Sequence, residues 1–196
     1  SKAEPIYEVN WGHDTKRYSP QNVSGLTKDD VKKLKLKWSF AFPNALRARS
    51  QPTISMGAVF VGSQDGRVYA FDLETGCTKW VFSASAEVRT GIVLSSPSEQ
   101  VSEKNPPLAF FGDLLGRAYA VNALNGELVW SIRADDHPST TLTGTPAYYQ
   151  GVLFIPISSL EVVPAADPDY RCCSFRGSIL AVESETGATR WRHYAI

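Results

Sequence analysis

The stretch that decides the fold is GRVYAFDLETGCTKW at residues 66–80, because the chain repeats its frame twice. Residues 116–130 read GRAYAVNALNGELVW and residues 177–191 read GSILAVESETGATRW. Each copy has Gly, three residues, Ala, a short turn, Gly, three residues and Trp. Successive tryptophans, counted from Trp38, are 42, 50 and 61 residues apart. A period of this size is typical of a repeat architecture.

The repeated frame predicts a strand, a tight turn and a second strand. Residues 68–71, VYAF, are apolar on both faces of an extended segment, so this strand is expected to lie between two layers. Asp72 and Thr75 can hydrogen-bond the local backbone, and Gly76 suits the left-handed position of a hairpin turn. A small Ala and a large Trp on neighbouring strands suit wedge-shaped sheets that pack radially. The chain is therefore predicted to be all-β, a β-propeller of four-stranded antiparallel blades. Three unrelated hairpins in a β-sandwich are the alternative.

The composition argues against several functional classes. The 196 residues carry 20 Lys and Arg against 20 Asp and Glu, a formal net charge of +0, and no basic stripe that would favour nucleic acid. The longest apolar runs are of strand length, so no transmembrane segment is predicted. The chain opens on a polar segment, and we expect any signal peptide to have been removed or never present.

The chain divides into an N-terminal segment and three blades. In residues 1–49, Thr27 and Asp30 resemble a capping box that starts a short helix over 28–34, and KLKLKWSF at 35–42 is predicted to be an outer strand closing the last blade of the ring. Residues 50–196 hold the three blades, at about 50–82, 90–132 and 143–194. The second and third blades carry insertions at 95–107 and 161–175.

Three blades are too few for a closed ring, because propellers have four to eight. We therefore expect this partial propeller to be the N-terminal part of a longer protein, or to receive its remaining blades from another chain. A half-propeller that assembles with itself or with a partner is a further possibility.

Adjacent cysteines, Cys172 and Cys173, are the most specific local signal. Consecutive Cα atoms lie about 3.8 Å apart, whereas ordinary disulfides prefer about 4.4 to 6.8 Å, so a bridge between neighbours forms a strained eight-membered ring. Such a rigid plate suits stacking on a flat cofactor. The alternative is a pair of free or separately bridged thiols in a loop. Cys77 lies in a predicted strand and is expected to be buried.

Two charged residues are candidates for ligand binding. Glu161 follows the strand-like run 152–159, and beside Ser158 and Ser159 it suits a hard cation such as Ca²⁺, although it also fits a solvated loop. Arg89 begins its blade where it can reach an anionic ligand, although such a residue is more often on the surface. The histidines at 13, 137 and 193 have no ligand spacing, and no haem-attachment motif is present.

The repeat frame, Ala-x-Asp-x-x-Thr-Gly-x-x-x-Trp, resembles the tryptophan-docking repeat of the dehydrogenases that depend on pyrroloquinoline quinone (PQQ). Arg17-Tyr18-Ser19-Pro20 and the later Leu-Lys-Leu-x-Trp strand look like the opening of the same quinoproteins. The segments VRT at 88–90, PISS at 156–159 and CCSFRGS at 172–178 look most like the polyvinyl-alcohol dehydrogenase group. The resemblance covers nearly the whole chain.

This resemblance implies an eight-bladed propeller with PQQ and Ca²⁺ in a central funnel. Glu161 stands where the family has a calcium-binding glutamate. The residues matched to quinone contacts are Arg89, Thr143, Ser158, Ser159, and the pair Cys172 and Cys173 as a vicinal disulfide over the cofactor plane. Two features depart from the pattern: the cysteine pair follows Glu161 instead of preceding Arg89, and Arg49 occupies a place where those enzymes often have a cofactor-binding Glu.

The resemblance further implies a periplasmic oxidoreductase. It would oxidise a small-molecule or polymeric alcohol and pass electrons to a cytochrome c. The base and the other metal ligands would come from later blades, so we expect no catalytic residue in this chain and no activity from it alone. The alternative function is a non-catalytic propeller that serves as a binding or assembly scaffold, which the Arg49 substitution favours.

Overall fold

The structure is a computed structural model that describes residues 25–95 and 106–195. Three antiparallel sheets follow one another along the chain, each with its strands in sequence order. The first comprises β1 (Thr53–Ser55), β2 (Ala58–Gly62), β3 (Arg67–Asp72) and β4 (Thr78–Ser83). The second comprises β5 (Val93–Leu94), β6 (Leu108–Gly112), β7 (Arg117–Asn122) and β8 (Leu128–Arg133). The third comprises β10 (Ala147–Tyr149), β11 (Val152–Ser159), β12 (Ser178–Glu183) and β13 (Thr189–Tyr194), and a short β9 (Thr140–Thr141) also pairs with β11.

The repeated sequence frame produces the same backbone geometry in every sheet. The Ala of the third strand lies opposite the Trp of the fourth, as in Ala70 opposite Trp80, and a register shift follows each of these pairs. The turn between these strands is also repeated, since the Gly76 amide donates to the Asp72 carbonyl at 2.9 Å and the equivalent bonds close the other two turns. The predicted all-β fold of four-stranded antiparallel blades is confirmed.

The core lies between neighbouring sheets. In β7, Tyr119 and Val121 pack towards the first sheet, whereas Ala118 and Ala120 pack towards the third. These four side chains are at most 4% exposed. The middle sheet is therefore covered on both faces, which explains why its strand is apolar at successive positions.

Each docked tryptophan joins one sheet to the next. The indole Nε1 of Trp80 donates to the Ala123 carbonyl at 3.0 Å, and that of Trp130 donates to the Ser184 carbonyl at 2.8 Å. Trp38 makes the same bond to the Leu73 carbonyl at 3.0 Å. In the third sheet, Trp191 is 45% exposed.

The N-terminal segment differs from its prediction in one element. The predicted helix is present as α1 (Lys28–Val31), with the capping box of Thr27 and Asp30. The strand predicted over 35–42 is wrong, because no strand in the described residues pairs with its backbone. This stretch instead places Trp38 and Phe42 on the outer face of the first sheet, and whether it closes a last blade stays a prediction. Residues 1–24, and most of the 95–107 insertion, lie outside the described residues.

None of the helices in the described ranges is long and apolar enough to cross a membrane.

Candidate functional site

The candidate site lies where β11 ends and the insertion of the third sheet begins. Glu161 follows this strand and is 4% exposed. Its Oε1 accepts hydrogen bonds from the Tyr170 hydroxyl at 2.9 Å, the Ser174 amide at 2.9 Å and the Ser174 hydroxyl at 3.3 Å. Its Oε2 accepts from the Phe175 amide at 3.0 Å. The insertion therefore folds back around a single buried carboxylate.

These donors stabilise the ionised form of Glu161. The Ser174 amide is the largest cause that lowers the pKa of Glu161 below its ordinary value of 4.5; Tyr170 and Phe175 add to it, against the opposing effect of burial. The hydrogen bond from the Tyr170 hydroxyl to Glu161 raises the pKa of Tyr170, because only the protonated phenol can donate it. Glu161 is consequently a charged group near neutral pH, as a cation ligand must be.

His137 completes this cluster from the connection between the second and third sheets. The Ser139 amide donates to its Nδ1 at 3.1 Å, so in the neutral ring the proton is on Nε2. Nε2 lies 3.0 Å from the Ser174 hydroxyl oxygen and 3.7 Å from Glu161 Oε1. The imidazole also meets the Phe175 ring edge to face, with centroids 5.4 Å apart.

The three cysteines occupy two different environments. Cys172 and Cys173 form a disulfide, as expected, on the exposed tip of the segment that Glu161 holds. Cys77 is a free thiol and is exposed, so its predicted burial is wrong. It follows Gly76 at the end of the tight turn, one residue before β4, and the first two positions of that strand also point to solvent.

Three predicted quinone contacts lie at the end of β11 that leads to Glu161. The hydroxyl oxygens of Thr143 and Ser158 are 3.4 Å apart, and the Ser159 hydroxyl accepts from the Glu161 amide at 3.4 Å. The hydroxyls of Thr140 and Thr141, which pair with Ser159 and Ser158 across the sheet, are buried without a hydrogen-bond partner. The structure thus gathers small hydroxyl side chains at one end of β11.

Arg89 lies on the connection between the first and second sheets, where its side chain pairs with Glu87. Its Nη2 donates to Glu87 Oε2 at 3.0 Å. Its Nε lies 3.0 Å from Glu87 Oε1 but makes no hydrogen bond there. Arg49 has the equivalent place one blade earlier, since Ser50 and Thr90, which follow the two arginines, accept from the equivalent amides of Gly62 and Gly112.

The described residues fit a quinone, and Glu161 fits as one carboxylate ligand of a metal ion. The buried hydroxyls of Thr140 and Thr141 have no hydrogen-bond partner, and such donors suit an oxygen-rich ligand. Oε1 of Glu161 already accepts three hydrogen bonds, whereas Oε2 accepts one and keeps a lone pair for a cation. Within residues 25–95 and 106–195, no group of three His, Cys, Asp or Glu side chains forms a metal cluster, so further ligands would have to come from elsewhere.

The sequence did not indicate three partners of this site. Glu87, which pairs with Arg89, is two residues away and is the easiest to find from local spacing. Tyr170 lies in the same insertion as Glu161, but its hydroxyl direction depends on how that insertion folds. His137 is 24 residues before Glu161 in the chain and has no local signal at all.

A family model described as "Outer membrane protein assembly factor BamB" matches residues 18–167 of the chain. Among curated proteins, a polyvinylalcohol dehydrogenase of Pseudomonas sp is 35% identical over 94% of this chain. The polyvinylalcohol dehydrogenase of Sphingopyxis sp. (strain 113P3) is 34% identical over 89% of this chain. The chain spans 28% and 26% of the lengths of these two relatives.

Two solved structures of quinohemoprotein alcohol dehydrogenases are also similar to this chain. The quinohemoprotein alcohol dehydrogenase ADHIIG of Pseudomonas putida HK5 is 25% identical with a TM-score of 0.71, over 95% of this chain and 26% of that one. The quinohemoprotein alcohol dehydrogenase of Comamonas testosteroni shares the fold, with a TM-score of 0.68 over 86% of this chain and 24% of that one. The chain therefore belongs to the PQQ-dependent quinoprotein dehydrogenase family, and it is similar to the N-terminal part of the polyvinylalcohol dehydrogenases.

Proposed function

We propose that this chain is the N-terminal part of a PQQ- and calcium-dependent alcohol dehydrogenase of the polyvinyl-alcohol type. The observation that carries the proposal is a buried, ionised Glu161 beside an exposed vicinal disulfide, in a chain 35% identical to a polyvinylalcohol dehydrogenase. The substrate class is a small-molecule or polymeric alcohol. The electron acceptor is a cytochrome c and the compartment is the periplasm, where a disulfide persists.

When bound, the quinone supplies the two-electron acceptor that an alcohol dehydrogenase requires. The residues of this chain bind and orient it. Thr143, Ser158 and Ser159 would offer hydroxyl groups to its oxygens, and Arg89, which is paired with Glu87 here, would offer its guanidinium to a quinone carboxylate. The disulfide of Cys172 and Cys173 offers a polarizable surface to a flat ring.

Glu161 would contribute one carboxylate oxygen to Ca²⁺. Its free position is on Oε2, because Oε1 is occupied by Tyr170 and Ser174. A single oxygen is a weak site by itself, since Ca²⁺ takes 6–8 oxygen ligands. The remaining ligands and the catalytic base would lie in other blades, so the 196 residues alone are expected to be inactive.

The experiment titrates PQQ into the complete protein that contains this chain, in the presence of Ca²⁺ or EDTA, and follows the absorbance of the quinone. Binding should require Ca²⁺, and the loaded protein should reduce an artificial electron acceptor when an alcohol is added. Glu161→Ala should lower quinone affinity at least about tenfold, which corresponds to about 1.4 kcal/mol. Glu185→Ala, at an exposed turn, is the matched control.

Absence of PQQ binding in the complete protein, with Ca²⁺ present, would reject the proposal. A propeller of this family without the cofactor would then serve as a binding scaffold. Binding that is equally tight in EDTA would reject the calcium assignment alone and leave the quinone assignment standing.

A further inference from the structure

The groups that donate hydrogen bonds to Glu161 lie on both sides of the cysteine pair. Tyr170 is two residues before Cys172, and Ser174 and Phe175 directly follow Cys173. We propose that Glu161 is a positioning residue: its carboxylate holds residues 170–175, the cysteine segment, and thereby sets the position of the disulfide. This role needs neither a quinone nor a cation.

The carboxylate is the strongest acceptor available to this segment. Hydrogen bonds to an ionised group are roughly twice as strong as neutral ones. Two of the donors are backbone amides, of Ser174 at 2.9 Å and Phe175 at 3.0 Å, so they fix the course of the main chain and not only a side chain. The 4% exposure of Glu161 keeps water from replacing it.

Packing anchors the segment at its C-terminal end, where Phe175 lies against the core between the second and third sheets and against the His137 ring. Over residues 25–95 and 106–195, its long-range hydrogen bonds go to Glu161 and to His137, which reaches the Ser174 hydroxyl. Its other backbone bonds are local, from the Cys172 amide to the Tyr170 carbonyl and from the Tyr170 amide to the Asp167 carbonyl. Cys172 and Cys173 are themselves exposed, so packing does not hold them in place.

Removing the carboxylate should therefore release the segment and leave the sheets intact. In Glu161→Ala, two main-chain amides and a phenol would point into the space the side chain leaves. A small carboxylate from solution should refill that space, because the donors that recognise it remain. An uncharged amide of the same shape should not, since its NH₂ group faces N–H donors.

The experiment measures hydrogen exchange at the Ser174 and Phe175 amides in the full chain, in EDTA and without quinone. Glu161→Ala should accelerate exchange at both amides at least tenfold, and formate should restore protection in a concentration-dependent way, whereas formamide should not. Glu185→Ala is the matched control and should leave both amides unchanged. Emission of the docked tryptophans and far-UV circular dichroism report whether the sheets are intact.

Two milder variants keep the test decisive if Glu161→Ala does not fold. Glu161→Gln keeps the volume, and it should also accelerate exchange because one carboxylate oxygen becomes a donor. Tyr170→Phe removes one donor and should accelerate exchange less. Unchanged protection in both Glu161 variants, or rescue by formamide equal to that by formate, would overturn the proposal. Either result leaves the quinone proposal untouched, since no cofactor is present.

Discussion

The indole Nε1 of Trp80 donates a 3.0 Å hydrogen bond to the carbonyl of Ala123, and this bond joins the last strand of one sheet to the tight turn of the next. The Trp80 side chain is 7% exposed, so water does not compete for the carbonyl. Trp130 and Ser184 repeat the arrangement at the following interface. The sequence repeat is therefore a repeat of the contact between blades as well as of the blades.

Loss of this contact should destabilise the chain. Trp80→Phe removes the indole donor and leaves the Ala123 carbonyl without its partner, so the free energy of unfolding should fall by about 1 to 3 kcal/mol. Urea unfolding followed by circular dichroism measures the change. Trp191→Phe is the control, because Trp191 is 45% exposed, and its effect should stay within about 0.5 kcal/mol. Equal effects of the two variants would contradict this account.

The glycine of each turn is required by the tryptophan above it. Gly126 has a φ of 77°, and a Cβ there would lie 2.8 Å from the Trp80 ring. Gly57 has a φ of 69° but nothing within 4 Å of such a Cβ. Gly57→Ala should cost about 1 to 2 kcal/mol of stability from the backbone alone. Gly126→Ala should cost about 1 to 3 kcal/mol more, because the ring must move.

The comparison between these two alanine variants isolates the ring contact, and thermal unfolding of both proteins gives the difference. If Gly126→Ala is no worse than Gly57→Ala, the tryptophan is not closely packed on the turn.

Tyr119 should make stability depend on pH in the alkaline range. Burial is the main cause that raises the pKa of Tyr119 above its ordinary value of 10.0, and its hydroxyl donates to the buried Asp113 carboxylate at 2.7 Å. The folded state keeps the phenol proton while the unfolded state loses it, so stability falls as the pH rises above about 10. Tyr119→Phe removes this titrating phenol. The difference in free energy of unfolding between the wild type and this variant should therefore become smaller from pH 9 to pH 11.

Urea unfolding of both proteins at each pH provides the measurement. Other tyrosines and the lysines titrate in both proteins, so their contribution cancels in the difference. A constant difference across this range would show that Tyr119 is not held in its protonated form.

The thiol count should report the two cysteine environments. Cys77 is exposed and free, whereas Cys172 and Cys173 are joined. A thiol reagent should therefore detect one reactive thiol in the native chain and three in the reduced, unfolded chain. The Cys77→Ser variant should show no reactive thiol in the native state and two after reduction and unfolding. A native count of zero would mean that Cys77 is buried, and a count of three would mean that the pair is not bridged.

The sequence alone determined the blades. Each frame places Ala opposite Trp and Gly in the turn, and these preferences act over a dozen residues, so periodicity was sufficient to predict strands, turns and the order of the sheets. The adjacent cysteines were also identifiable from their spacing, whereas the position of Glu161 fitted both a cation ligand and a solvated loop.

Only the tertiary structure decided which residues contact one another across long distances in the chain. The stretch 35–42 has the alternation of a strand, but a strand needs a neighbour for its backbone, and the described residues supply none. Cys77 is apolar in character, yet it lies where the turn meets an exposed strand. Glu161 meets Tyr170, Ser174 and His137 because the insertion folds back on the sheet. Such contacts depend on how a loop closes in space, and no local preference in the chain encodes that closure.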